Sequence, residues 1–340
     1  MTNAIRIIIP NFNKGRYVGA CLDSLRRQKF VHWKCDVIDG GSTDESWSII
    51  QRFAARDSRI EARKELRTAS LYSAWNLGLA RVDEPFFAVL TSDDCWPDPE
   101  WLGDAIQTLQ INSELVAVAA RVAIIDERSV RQGIAPQNLQ GEQLFPGGCR
   151  THIRDGVASS IGCYFVSAIY TSIHSLVHRS AILSSGLRFS ETVGSVGDLD
   201  WYIRLGLLGD VAYNARREVW WRKYPGGVTS NIAWSQALAN VRKVHENVRS
   251  ELGGRFHAAK RFERIAYKFD EGMLRYTWIR PPLKSFQMDR GVAVKRLFRS
   301  AVRWPHHLLA EMVAKCFGRD HTSEYRLALA RKIIALRPLQ

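Results

Sequence analysis

The run Pro85–Phe86–Phe87–Ala88–Val89–Leu90 ends abruptly at Thr91–Ser92–Asp93–Asp94. An unbroken apolar run with aromatic and β-branched members predicts a strand buried on both faces, the habit of a parallel sheet. The breaker cluster Cys95–Trp96–Pro97–Asp98–Pro99 comes next, so two adjacent carboxylates sit where a central strand runs out. In an open α/β sheet that carboxyl edge is where ligands bind. Two carboxylates side by side repel unless a positive group joins them, and oxygen donors favour Mg2+ or Mn2+. A plainer use of the pair is to cap the helix beginning near Asp98, so the rest of the chain has to decide.

Upstream, Ile5–Ile9 is apolar apart from Arg6 and closes at Pro10–Asn11–Phe12–Asn13–Lys14–Gly15; Val18, Cys21, Leu22 and Leu25 follow at helical spacing. Lys34–Ile38 predicts a second strand, closed by Asp39–Gly40–Gly41–Ser42–Thr43–Asp44, with Thr43 or Asp44 capping the helix of Trp47, Ile50 and Phe53. A weak strand near Ile60, a helix over about 70–81, and the strand ending at Asp93 continue the alternation. This pattern predicts a doubly wound, mainly parallel α/β sheet with helices on both faces. Its strand-end loops, 10–14, 39–44 and 91–94, would gather at one edge.

Four ordered segments sharpen the reading: Ile7–Asn13, Val37–Asp44, Leu71–Ala80 and Leu90–Asp94. Together they resemble the motifs of the family 2 glycosyltransferases, GT-A fold enzymes that use nucleotide-diphosphate sugars, over roughly residues 3 to 230. The resemblance implies that Phe12 packs on the nucleotide base beside Pro10 and Asn13. It implies that Asp39 accepts a hydrogen bond from the base, that Asp93 contacts ribose or metal, and that Asp94 ligates Mn2+ or Mg2+ on the diphosphate. Turn chemistry for Gly40–Gly41 is the plainer use of Asp39, and Tyr72 and Asn76 are read as orienting residues. Thr68, Ser70 and Ser73 depart from the acidic pattern common around Leu71–Tyr72, which leaves the donor's identity open.

Farther on, 126–162 is rich in Gly, Gln and Pro with little periodicity. It is read as an acceptor-side insertion that orders on binding. Tyr164–Leu183 has a strand-then-helix texture, with His174 and His178 read as structural. Ser195–Leu205 resembles the family's acidic motif at a helix start. Asp198 is accordingly the implied general base and Asp200 the fallback, since glycosyl transfer with inversion needs a carboxylate to take the acceptor's hydroxyl proton. Gly197 stands where relatives carry an acid. The segment 220–230 resembles a donor-closing loop in which Arg222 or Lys223 would pair with the diphosphate. Tyr224 stands where relatives often have histidine, and it is a poor ligand for Mg2+.

The charge is unevenly placed. Residues 241–340 hold 22 Lys and Arg against 9 Asp and Glu, so +13 of the net +14 lies there. Residues 1–230 are therefore read as the catalytic domain and 231–340 as a basic helical region. Within it, Gly291–Trp304 places Val294, Leu297, Phe298, Ala301 and Val302 on one helical arc and Lys295, Arg296, Arg299 and Arg303 on the other. Such a helix suits an anionic membrane surface, with packing on the catalytic domain as the alternative. No signal-peptide layout or spanning apolar stretch is present, and the six cysteines form no CxxC pair. The chain is expected in the cytoplasm, peripheral at the membrane's inner face, moving sugar to a glycan or lipid-linked acceptor in cell-surface polysaccharide biosynthesis, with no nucleic-acid partner. Two rivals remain: a nucleotidyltransferase acting on sugar phosphates, which would want a glycine-rich basic loop after the first strand, and a non-catalytic basic protein binding membrane or polyanion.

Overall fold

The computed structural model describes residues 4–65, 72–148, 150–166, 168–227, 232–255, 260, 262–267, 269–270 and 321–335. It divides into two compact units, Met1–Ile232 and Ala233–Gln340.

The first unit is built on one nine-stranded sheet of order β3-β2-β1-β4-β8-β5-β9-β7, with β6 pairing β5. Strands β1 (Ile5–Asn11), β2 (Trp33–Asp39), β3 (Ile60–Lys64) and β4 (Phe86–Val89) pair in parallel. The crossovers between them carry α1 (Gly15–Arg26), α2 (Ser46–Ala54) and α3 (Ser73–Leu79). Ile7, Ile9, Val37, Ala88 and Leu90 are fully buried in the core shared with Val18, Leu22, Leu25 and Ile50. The continuous apolar runs are thus explained, because both faces of these strands are covered. Helix α3 lies so close on β1 that a Cβ at Gly78 would stand 2.4 Å from Ile8.

Beyond β4 the sheet is mixed. After α4 (Trp101–Ile111), the long β5 (Leu115–Ile125) runs parallel to β9 (Asp210–Arg222), while β8 (Leu176–Arg179) slots antiparallel between β4 and β5. Tyr164–Leu183 therefore departs from the predicted strand-then-helix order: its start closes a helix, and β8 is only four residues long. Residues 126–162 are also more regular than expected. They hold β6 (Arg131–Ile134), α5 (Pro136–Leu144), β7 (Thr151–Arg154) and the start of α6 (Gly156–Phe165). Side chains such as Asn138, fully buried and bonded to the Val122 N–H and the Ile169 carbonyl, anchor α5 in place of an apolar stripe.

Helix α7 (Gly197–Leu208) packs on α6 where Gly156 and Gly206 allow backbone contact, and it passes through Gly209 alone into β9. The N-terminus of α7 lies against Tyr72, just before α3, where the Gly197 N–H donates to the Tyr72 hydroxyl.

In the second unit, α8 (Trp234–Gly253) buries Val244, Val248 and Leu252, and its His245 bonds Asp270 at 2.7 Å. A last helix spans His321–Ala335. No helix among the described residues is long and apolar enough to cross a membrane. Residues 291–304 lie outside the described residues.

Candidate active site

The loops after β1, β2 and β4 meet at one edge, joined by side chains. Asn13, with φ of 51°, accepts from the Thr43 N–H at 2.8 Å and donates its own N–H to Ser42 Oγ at 2.8 Å. The Gly15 N–H donates to Asp44 and the Lys14 N–H to Ser46 Oγ, each at 2.9 Å. Asp44 is thus used in loop stitching while Glu45 precedes α2 without a side-chain cap. Phe12 and Pro10 are half-buried, neither core nor free surface.

Asp39 is fully buried. Its Oδ1 accepts from the N–H groups of Gly41 and Ser42, and its Oδ2 accepts from Asn11 Nδ2 at 2.8 Å and Ser42 Oγ at 2.6 Å. Those four bonds use all the lone pairs a carboxylate offers. As placed, Asp39 builds the turn, and a nucleotide base would have to displace one of these donors to reach it.

Asp94 is also buried. Its Oδ1 accepts from the Arg222 N–H at 2.7 Å; its Oδ2 accepts from Thr91 Oγ1 and lies 3.1 Å from His174 Nδ1. Asp93 points the other way. Its Oδ2 accepts from the Tyr224 hydroxyl at 2.9 Å and stands 3.2 Å from the Lys14 ammonium, which also donates to the Tyr224 oxygen. Burial first, and the Asp94 charge second, push the Asp93 carboxyl up from the ordinary range, while Lys14 and Tyr224 pull it back.

Arg222 differs from its sequence reading. Its guanidinium is buried, donates to the carbonyls of Asp93 and Asp126 and to Ser129 Oγ, and lies 4.6 Å from the centre of the Tyr17 ring. A charge at the end of a buried strand turns inward when backbone carbonyls offer it acceptors. Arg222 holds the Asp93–Asp94 loop in shape and has no fork left for a diphosphate. His178 is structural as predicted: it stacks on Phe87, accepts from Trp201 Nε1 at 3.1 Å, and burial pushes its pKa down to about 3.

Asp198 and Asp200 part company. Asp200 is buried and paired with Arg204 at 3.0 Å one turn along α7. Asp198, in the first turn, is half-buried and has no cation partner among the described residues. It accepts from the Leu199 N–H, at 2.9 Å, and burial, opposed by backbone N–H bonding, raises its pKa from 3.8 to about 6. The N-terminal end of a helix would favour the anion, so desolvation outweighs that help. Tyr72, buried at the start of α3, accepts from the Gly197 N–H at 2.9 Å and packs so tightly there that a Cβ at Gly197 would come within 2.5 Å of its ring. The absence of an acid at position 197 thus has a steric cause. Asn76 grips both the N–H and the carbonyl of Phe189, at 2.9 and 3.0 Å, and orients the approach to α7.

Residues 6–160 match the model of Glycosyl transferase family 2. Over this stretch the chain is similar to the family 2 glycosyltransferases. Among curated relatives, the glycosyltransferase GlyG of Streptococcus pneumoniae is 26% identical over 28% of this chain and 31% of its own length. Escherichia coli WfgD, a UDP-Glc:alpha-D-GlcNAc-diphosphoundecaprenol beta-1,3-glucosyltransferase, is 25% identical over 44% of this chain and 60% of its own length. The matched stretches thus span less than two thirds of these relatives. Among solved structures, S. aureus TarS 1-349 in complex with UDP-GlcNAc aligns over 98% of this chain and 91% of its own, with TM-score 0.60 and 15% identity. The mannosyltransferase PcManGT of Pyrobaculum calidifontis, in complex with GDP-Man and Mn2+, aligns with TM-score 0.55 and 14% identity over 98% and 86% of the two chains. At those identities the likeness shows the fold alone: the GT-A arrangement, a mixed, mostly parallel sheet flanked by helices.

What sequence reasoning missed at this site is the placement of Lys14 and His174, both on Asp93–Asp94. Neither contact has a local signature, since Lys14 lies 79 residues from Asp93 and His174 lies 80 residues from Asp94.

Proposed function

We propose that the chain transfers a sugar, with inversion, from a nucleotide-diphosphate donor to a hydroxyl of a glycan or lipid-linked acceptor. The observation that carries this reading is Asp198, a carboxylate with no cation partner among the described residues and a pKa raised to about 6. A base of that kind is ionised at neutral pH yet basic enough to take a hydroxyl proton as the oxygen attacks. Asp200, held by Arg204, is a helix-stabilising ion pair and not the base. The loop cluster of Pro10, Phe12, Asn13 and Asp39 receives the nucleoside, and Asp93–Asp94 faces the diphosphate. Relatives such as WfgD, whose name specifies a diphosphoundecaprenol-linked acceptor, support the acceptor class; a place in surface polysaccharide assembly at the membrane's inner face belongs to the same proposal.

The sequence reading also assigned Mn2+ or Mg2+ to Asp93 and Asp94, and PcManGT is in complex with Mn2+. The residues here do not fit a divalent ion as they stand. Both oxygens of Asp94 are engaged by protein donors, and Asp93 Oδ2 is already held by an ammonium and a phenol. No group of three or more His, Cys, Asp or Glu that could hold a metal occurs among the described residues.

The test is a panel of nucleotide sugars incubated with short glycan and polyprenyl-diphosphate acceptors, with the product's anomeric configuration read by NMR. Transfer with inversion from at least one donor is expected. Retention of configuration would remove Asp198 as base, and release of inorganic pyrophosphate from a sugar phosphate and a nucleoside triphosphate would make the chain a nucleotidyltransferase.

A further inference from the structure

Lys14 was not assigned to the site by its sequence position, yet it stands where the charge problem of the Asp93–Asp94 pair is most acute. Its ammonium is 3.2 Å from Asp93 Oδ2 and donates to the Tyr224 hydroxyl, which itself donates to that same Asp93 oxygen. The Tyr224 ring packs at 4.8 Å on Tyr17, and the Lys14 ammonium lies 5.0 Å from the Tyr224 ring centre. The cluster therefore closes three elements on one another: the β1 loop, the end of β4 and the segment after β9. Lys14 and Asp93 keep 19% and 21% of their side-chain surface exposed, so the cluster is tight without being sealed.

An ammonium carries three N–H donors. Two are spent on Asp93 and Tyr224, and the third has no partner among the described residues. Asp93 Oδ1 likewise has none, which leaves a polar opening beside a fixed positive charge. A phosphate oxygen is the natural occupant of such a place, since charge-assisted hydrogen bonds from a lysine are a standard way to hold a diphosphate.

We propose that Lys14, held by Asp93 and Tyr224, is the resident cation of this site and binds the donor's diphosphate in place of a divalent metal. The inference rests on the donor reading given above. In the transfer step the acceptor oxygen forms its bond to the anomeric carbon as the bond from that carbon to the β-phosphate oxygen breaks. The acceptor proton goes to Asp198, and the bonding electron pair leaves with the nucleoside diphosphate. The charge that accumulates on that leaving group is met by the Lys14 ammonium. Tyr224 then has a role consistent with its chemistry: a phenol orients an ammonium, which a metal-ligating histidine at the same position would not do.

The experiment measures binding of UDP and GDP by calorimetry to the full chain, in excess EDTA and in millimolar MnCl2, for wild type, Lys14→Met and Lys14→Arg. Wild-type affinity should change by less than about threefold between the two conditions. Lys14→Met should bind about tenfold or more weakly in EDTA and regain affinity with Mn2+, because removing the ammonium frees Asp93 for a metal. Lys14→Arg, which keeps the charge, should remain insensitive to EDTA. A melting curve for each variant separates loss of binding from loss of fold. Strong loss of wild-type binding in EDTA, or Lys14→Met binding as wild type does, would overturn the proposal and leave the donor reading standing. Absence of UDP and GDP binding in both conditions would overturn the donor reading and this inference together.

Discussion

Replacing Asp198 by Asn should kill transfer and at the same time stabilise the protein above neutral pH. Asn keeps the size and polarity of the side chain but cannot ionise. In the folded chain burial raises the Asp198 pKa from 3.8 to about 6, so the fold favours the protonated acid. Between those two values the folded state binds more protons than the unfolded one, and the stability linked to Asp198 falls as pH rises through that window and stays low above it. At roughly 1.4 kcal/mol per pH unit the full penalty of holding the ionised group would be about 3 kcal/mol. The side chain is only half-buried, and solvent screening reduces that figure to about 1–2 kcal/mol. For a unit of this size such a gain corresponds to a melting point higher by about 3–6 °C.

Two assays check it. Thermal melts of wild type and Asp198→Asn should separate at pH 7.5 and converge below pH 4, where the wild-type carboxyl is also neutral. Transfer by the variant should drop by about 100-fold or more, the usual share of a general base, with nucleoside-diphosphate affinity nearly unchanged. Wild-type kcat/KM should rise with pH and level off above about 6. A variant that melts lower than wild type at pH 7.5, or that transfers sugar at near wild-type rate, refutes the reasoning from the unpaired charge.

Other substitutions probe the supports of the site. Arg222→Lys loses the fork that joins the carbonyls of Asp93 and Asp126 to Ser129, and chemical denaturation should show a loss of about 2–4 kcal/mol. Asp39→Asn sets an amide N–H2 against Asn11 Nδ2 or the turn N–H groups; it should cost about 1–3 kcal/mol in the same assay and weaken nucleotide binding. Gly197→Ala drives a methyl into the Tyr72 ring and should lower kcat with donor affinity intact, together with a stability loss of about 1–3 kcal/mol read from melts.

The parallel half of the sheet was legible because its strands are continuous apolar runs, and the carboxyl edge could be located from the loops that end them. The mixed half was less so. Strand β8 has four residues, and α5 is held by a buried asparagine in place of an apolar stripe, so neither writes a period into the chain. Asp93, Asp94 and Asp198 could be picked out by resemblance, but what each carboxylate does depends on partners far away in sequence. Asp39 shows the limit well: a turn Asp and a base-binding Asp look alike in sequence, and only the four donors around it reveal that the turn claims it first.

The carboxylates at this edge are treated in opposite ways, and that contrast links the structure to a transfer reaction. Asp93 and Asp94 stand side by side in a region of low exposure, where two bare charges would repel; the fold answers with Lys14, Tyr224, Thr91, the Arg222 backbone N–H and His174. Among the described residues Asp198 is given no such company, although Asp200, two residues along and paired with Arg204, shows that α7 can pair an acid when the fold requires it. A carboxylate left unpaired against its own desolvation is a standing cost to stability, and selection for stability alone would replace it. The compensated pair suits a place where charge must be held steady as a leaving group departs. The uncompensated acid suits a place where a proton must be accepted. A reaction that breaks one bond to a phosphate and forms another from a hydroxyl needs both, and needs them on different residues.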